Sequence, residues 1–514
     1  MNLFYIAYRN LLQRGVASSL TMLSMALGVG LVVAVLTIYG VIDQSFQMSN
    51  SVGYNLLIGA KGGDLQLTLN SIYFLSKPVE NVNYEYYLEF FPAEARKEAY
   101  ENSLARQTTL LSREVSEPQM GAELQIALPG FAGVAQTALL KLAEDNCHAR
   151  TEQTRAGKYA DYTSKAVPLC LGDYLGNFRA VATTPELFNN RVLDPRYDTK
   201  FTFREGRNFE HKSKEFGYFE AILGATAARE LKLKVGDTFQ VNHGEPTGHE
   251  HENLFHVVGI LNHSATPNDR AAFVNVEGFL LMNDHAKPLA ENITEDDKTL
   301  FDESKDKPKH DDGAQVYIPL PVEEREVTAF LLRTSDPALG SSVQYFVNKG
   351  NMARAVSPIS EIEGLFNTFL SPIRQVLLLL TVMICVVAGI SILVSIYNSM
   401  NERKRDIAVM RALGARRGQV MSVILFESIF IAVGGAIAGF LTAHTLIYLY
   451  SNQIESRTGV YIGLKLAPAI EVSPSLSIWP ELLIIPALIL IAIGAGLFPA
   501  LAAYRTDVSK SLQS

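Results

Sequence analysis

Four apolar stretches limit what this chain can fold into. Gly15 to Ile42 holds 28 residues without a charged side chain, Gln375 to Asn401 holds 27, and Leu482 to Tyr504 holds 23. Val420 to Tyr450 is the remaining one, interrupted by Glu427 and His444. A bilayer-spanning helix needs about 20 mostly apolar residues. Buried helices of water-soluble domains are usually shorter and carry polar residues every third or fourth position. The pattern therefore predicts a membrane protein with four transmembrane α-helices, one followed after a long interval by three. The first stretch exceeds the roughly 7–15-residue apolar core of a secretory signal, and no small-x-small cleavage pattern follows it.

Basic residues beside the spans set the orientation. Arg9 and Arg14 precede the first span. The link between the second and third carries Arg403, Lys404, Arg405, Arg411, Arg416 and Arg417. Arg505 and Lys510 follow the fourth, whereas the 451–480 loop has only Arg457 and Lys465. Both termini and the link are thus expected in the cytoplasm. The chain would cross the membrane several times, with the large domain on the outer side. The three cytoplasmic pieces carry +2, +4 and +1 in a chain of net −8. The basic residues are accordingly a topological signal, and no surplus is left for nucleic acid.

The resulting map is a cytoplasmic amphipathic helix at 1–14, spans at 15–42, 373–401, 420–450 and 481–504, and a periplasmic domain at 43–372. A cytoplasmic helix occupies 402–419, a periplasmic loop 451–480 and a cytoplasmic tail 505–514. Gly435 and Gly439 stand four apart, as do Ala492 and Gly496. Small residues at that spacing let helices approach closely in lipid, within a bundle or between two chains.

The long interval is large enough for two subdomains. Its pattern is α+β with mixed connections. Phe178 to Thr183, Thr238 to Val241, Phe255 to Leu261, Ala272 to Val276 and Arg325 to Arg333 read as strands. Ala221 to Leu233 reads as strand then helix, and Pro337 to Val347 as a helix. Glu94 to Arg113 and Ala135 to Cys147 are helix-prone, and Glu291 to Gly313 reads as a charged loop. Cys147 and Cys170 fall on the periplasmic side. An oxidising compartment permits a disulfide between them worth about 3 kcal/mol; the alternative is two free thiols. Cys385, inside a span, reads as a small apolar filler.

His243, His249, His251 and His256 cluster with Glu250 and Glu252. Imidazole and carboxylate suit Zn²⁺ or Cu²⁺. The spacing of His243, His249 and His251 matches no recognised site, however. With Gly244, Pro246 and Gly248 between them the stretch reads as a solvated hairpin tip, so no metal site is assigned. Neither a phosphate-binding G-x-x-x-x-G-K-[ST] nor an H-E-x-x-H, G-x-S-x-G or kinase signature occurs, and Lys61-Gly62-Gly63 reads as a turn. No catalytic residue is assigned, and no enzyme activity is expected of the chain.

The 402–419 link is the most informative short segment. Ile407, Met410 and Leu413 recur at i, i+3, i+6, flanked by Arg403, Lys404, Asp406 and Arg411, with Gly414 as a stop. Such a helix suits a groove on a partner protein or an anchor on lipid headgroups.

This segment resembles the signature of FtsX-like ABC transporter permeases, the MacB and LolC/LolE group. That signature runs E-R-x-x-[DE]-I-x-x-x-[RK]-A-x-G-A, and Glu402, Arg403, Asp406, Ile407, Arg411, Ala412, Gly414 and Ala415 match it in step. Pro499-Ala500 with Ala503-Tyr504-Arg505 resembles the family's closing motif. Ala7-Tyr8-Arg9-Asn10-Leu11-Leu12 is similar to its opening helix. Gly206-Arg207, Leu223-Gly224, Gly236-Asp237 and Val257-Val258-Gly259 resemble a MacB-like periplasmic core, with 84–163 as an insertion.

The resemblance implies a type VII mechanotransmission permease. ATP and Mg²⁺ would bind two copies of a separate ABC ATPase subunit rather than this chain. Glu402, Arg403, Arg405, Asp406, Ile407, Met410, Arg411, Leu413, Gly414 and Ala415 would couple the two. Glu427 matches an acidic position of the third span, where capping or pairing is the expected role. A second permease chain, in a homo- or heterodimer, membrane lipid and a periplasmic protein or lipoprotein are the other implied partners. The substrate would be lipid-linked or periplasmic. The alternative is a signalling scaffold that activates a periplasmic hydrolase without transport.

Overall fold

The computed structural model describes residues 3–50, 53–78, 80–100, 103, 155–189, 201–264, 266–282, 285–287, 319–402, 404–458, 462–464, 466–473 and 476–505. The chain forms two compact units, Met1–Phe46 with Gly364–Ser514, and Gln47–Glu363.

In the first unit a short helix, Leu3–Gln13, leads into a long one, Gly15–Asn50. Three further helices follow the second unit: Ser371–Glu402, Arg417–Thr458 and Pro480–Arg505. Among the described residues, four helices are long and apolar enough to cross a membrane. A π-helical turn at Phe366–Leu370 precedes Ser371; such a turn locally widens a helix. Helix packing uses the small residues the sequence offers. A Cβ at Gly439 would meet the Ala26 carbonyl oxygen at 2.5 Å, and one at Gly435 would meet Met25 Cβ at 2.6 Å. These glycines therefore draw the 417–458 helix onto the Gly15–Asn50 helix of the same chain.

The second unit is α+β. Its strands are β1 (Leu56–Gly59), β2 (Val82–Asn83), β3 (Thr163–Leu169), β4 (Tyr174–Leu175) and β5 (Phe178–Thr183). They continue with β6 (Phe203–Gly206), β7 (Glu220–Leu223), β8 (Thr238–Phe239), β9 (Phe255–Leu261) and β10 (Ala271–Asn275). β11 (Glu326–Val327), β12 (Ala329–Thr334) and β13 (Arg354–Val356) complete the unit. One sheet runs β13-β1-β12-β3, antiparallel throughout. The other runs β4-β5-β10-β7-β9-β6 with β8 on β9, and pairs β10 with β5 and β7 with β9 in parallel. β5, β7 and β10 are buried along their whole length, as expected of mostly apolar strands such as Ala271-Ala-Phe-Val covered on both faces.

Where length points to two subdomains, the two sheets instead share one core. Leu56 and Ile58 of β1 and Phe330 of β12 pack in the same cluster as Ala180 and Ala182 of β5 and Val274 of β10. The described part of 84–163 joins that core: Phe90 stacks on Tyr159 at 4.7 Å and meets Phe330 edge-on at 5.0 Å. Helix Ala93–Ala99 covers the start of the expected 94–113 helix and is capped by Tyr100. Residues 104–113, Ala135 to Cys147 and Glu291 to Gly313 lie outside the described residues.

One buried charge in this unit is closely paired. Glu220 is fully buried and accepts from Arg207 at 2.6 and 3.1 Å and from the Glu210 amide at 3.0 Å. Burial opposes its ionisation, but these donors outweigh it and hold the carboxyl below its usual range.

Candidate functional site

The family-signature segment forms a short helix, Lys404–Ala412, between two of the long helices. Its end is set by Gly414 at φ +100°. There the Gly414 amide reaches the Arg411 carbonyl at 3.1 Å and the Ala415 amide reaches Met410 at 3.0 Å. This bond pair is the Schellman motif, and a residue with a Cβ would be strained at position 414.

The helix turns its apolar residues inward. Ile407 and Ala408 are buried, and Ile407 packs with Met400, Val420 and Ile424, with Met410 against the same cluster. Val409 is 43% exposed and Leu413 83%. The sequence pattern puts Ile407, Met410 and Leu413 on one docking face; the structure divides them. The segment is joined closely to a long helix at each end, so the nearest apolar surface is its own bundle. Leu413 sits at the Schellman end, where the chain leaves the helical path. Arg403 and the side chains of Arg405 and Asp406 lie outside the described residues. Exposed Glu402 pairs with Arg14 at 2.9 Å, and Arg14 also donates to the Ser395 carbonyl at 3.3 Å.

Glu427 is buried and accepts a 2.6 Å hydrogen bond from the Asn10 side-chain amide. The opening helix is held against the third long helix by this bond and by Phe4, edge-on to Phe430 at 4.6 Å. A cavity of about 130 Å³ lies here, lined by Ile6, Asn10, Met400, Ile407, Met410 and Glu427 among others. The short helix, the opening helix and the buried carboxylate thus form one contiguous site, although the opening helix lies about four hundred residues from the other two in sequence.

A family model described as FtsX-like permease C-terminal matches residues 378–508, and one described as MacB-like periplasmic core domain matches residues 18–294. The chain belongs to the FtsX/MacB-type ABC permeases. It is 25% identical over 275 residues to the macrolide export ATP-binding/permease protein MacB of Bdellovibrio bacteriovorus, covering 50% of this chain and 35% of that protein. It is 22% identical over 273 residues to an uncharacterized ABC transporter permease of Methanocaldococcus jannaschii, covering 50% and 56%. Another uncharacterized ABC transporter permease, YknZ of Bacillus subtilis, is 30% identical over 89 residues, covering 17% and 21%. The chain spans less than two thirds of the length of each.

This permease has a second buried polar centre that the sequence pattern did not single out. Glu481, at the start of the last long helix, accepts from Thr37 Oγ1 at 2.6 Å and from the Ala467 amide at 2.6 Å. His444 Nε2 lies 3.1 Å from its other oxygen. The network ties three long helices and the loop before the last one. The available signal was an acidic residue in a first turn, where the helix dipole favours negative charge.

In the α+β unit, Cys170 is a buried free thiol, 3.6 Å from the Glu326 carbonyl oxygen and pushed up to about 12 by burial. Cys147 lies outside the described residues. The histidines sort unevenly. His249 is exposed, and His256 stacks on Phe216 at 4.0 Å. His251, assigned to a solvated tip from its glycine-rich surroundings, is 3% exposed. It and His243 converge on Asp173 and His285. The first pair is close in sequence, whereas Asp173 and His285 are brought in by strand pairing and by the segment after the Val276–Leu280 helix, which local spacing does not reveal.

Proposed function

We propose that this chain is the permease subunit of a type VII ABC transporter, anchored in a bacterial inner membrane by four spans with both termini in the cytoplasm. ATP hydrolysis by a separate ABC ATPase dimer moves the Lys404–Ala412 helix. The long helices carry that motion to the periplasmic Gln47–Glu363 unit, which extrudes or extracts a lipid-linked or periplasmic substrate. A second permease chain completes the assembly.

The observation that carries the reading is the division of the short helix. Ile407 is buried in the bundle, so a push on the helix is transmitted rather than absorbed, while Val409 and Leu413 remain exposed for a partner. The basic flanks of the spans support the orientation. The few ionisable residues within the spans support motion over a polar pore.

The test is co-purification with a candidate ABC ATPase subunit expressed together with the chain. Leu413→Asp and Val409→Asp are expected to lower recovered ATPase about tenfold while the chain stays inserted. Unchanged recovery with both would refute docking through this helix. ATP-driven release of lipid or lipoprotein from vesicles holding the complex is the transport readout. ATPase turnover without release of any cargo would favour the signalling scaffold.

A further inference from the structure

Strand pairing builds a four-residue cluster in the α+β unit. Asn242 exchanges backbone hydrogen bonds with Tyr174, at 2.7 and 3.0 Å, and forms an antiparallel bridge to Glu250. Alternation along paired strands then brings Asp173, His243 and His251 together on the opposite face. His285 arrives from the segment after the Val276–Leu280 helix, its ring 4.2 Å from Phe279.

The distances are those of a coordination shell. His251 Nε2 and His285 Nε2 each lie 3.1 Å from Asp173 Oδ2 and 3.2 Å from each other. His243 Nδ1 lies 3.5 Å from Asp173 Oδ1, and one ligand atom from each of the four residues falls within 4.8 Å of the others. A tetrahedron with bonds of about 2.0–2.1 Å has edges of about 3.3 Å.

Hydrogen bonding accounts for only part of the cluster: His251 and His285 share one bond at 3.2 Å, which leaves Asp173 Oδ2 unserved. Asp173 is fully buried, and its Oδ2 accepts no aligned hydrogen bond although two imidazole nitrogens surround it. The Gly244 amide, 3.3 Å away, takes up Oδ1 instead. A buried carboxylate oxygen without a donor is costly unless a cation meets it. Arg179, which senses the Asp173 charge, donates to the Ser76 carbonyl at 2.7 Å and stacks on Tyr174.

We propose that Asp173, His243, His251 and His285 bind one Zn²⁺ in a tetrahedral N₃O site. Three imidazoles exclude the all-oxygen shells of Ca²⁺ and Mg²⁺, and the absence of thiolate from the set argues against Cu(I) and iron–sulfur chemistry. His243, 46% exposed, gives the ion its way in. The bound ion would pin the 242–251 hairpin to the strand beginning at Tyr174 and to the segment around His285. The site rests on this unit's residues alone, so its test is independent of ATPase docking.

The experiment uses the full chain without a polyhistidine tag, purified in detergent and stripped with EDTA. Titration with ZnCl₂ against a chromophoric chelator should give one tight site per chain and a higher melting temperature. Co²⁺ in its place should show the intense visible bands of a four-coordinate ion. Asp173→Asn and His251→Ala should each weaken Zn²⁺ binding at least ~100-fold, as expected when a ligand is lost. His249→Ala should leave it unchanged. The Asn variant keeps the shape of Asp173, so its melting temperature without metal reports whether it folds. No tight site in the wild-type chain, six-coordinate Co²⁺ bands, or equal loss with His249→Ala would overturn the proposal.

Discussion

The two units bury the same residue types in opposite senses. In the α+β unit, Leu57, Ile58, Phe330 and Leu332 are fully enclosed. In the helical unit, Leu379, Met383, Val386 and Ile390 of the 371–402 helix are more than half exposed, while the small residues Ala432, Ala436 and Ala492 fill the interior. Water drives the first arrangement by removing apolar surface. Lipid offers no such drive, so the second depends on close backbone approach and on a few satisfied polar groups. A row of exposed apolar residues thus carries a cost in water and none in lipid.

Phe330→Ala should break the α+β core most severely. It should lose about 3–5 kcal/mol of unfolding free energy, while Leu379→Ala in detergent should change stability by less than about 0.5 kcal/mol. Equal losses in chemical denaturation would erase the contrast. Gly439→Leu, which drives a side chain into the Ala26 backbone, should cost the helical unit about 1–3 kcal/mol or more. A thermal melt in detergent checks it, and an unchanged midpoint would mean that the helices do not pack here. Thr37→Val, which removes one donor to buried Glu481, should cost about 1–3 kcal/mol in the same assay. Neutrality would show that the polar network is dispensable.

The smallest effect concerns pH. The Glu186 hydrogen bond and charge raise the His211 pKa above its ordinary 6.5, with weaker help from Glu277 and Glu98. Burial opposes ionisation of Glu186, but His211 and the Thr184 hydroxyl pull it down to about 2. The His211 contribution is complete below pH 6.5 and is lost as pH rises through the raised value. The Glu186 contribution is complete above its ordinary 4.5 and is lost as pH falls toward 2. Both act together between about pH 4.5 and 6.5. Both side chains are more than a third exposed, so the gain should stay under about 1 kcal/mol after solvent screening. His211→Ala should flatten the stability curve across that window; an unaltered curve would dismiss the pair.

The fold was legible wherever local pattern and tertiary demand coincide. β5 and β9 occupy the residues that the sequence pattern marks, because a buried strand leaves a short, mostly apolar run. The Lys404–Ala412 helix and its Gly414 end were legible for the same reason. The facing of that helix was not. Periodicity finds an apolar stripe, yet a stripe does not say whether its partner is another protein or the chain's own bundle.

By itself, the sequence determined the four apolar helices, the α+β character of the interval between the first two and the family signature. Each of these depends on neighbours within about a turn or a strand. Only the tertiary structure decided that Gly435 and Gly439 serve packing within one chain, that Ile407 turns inward, that Asn10 meets Glu427, and that two tip histidines join Asp173 and His285. These are contacts between segments distant in sequence, and chain closure alone brings them within a few ångströms.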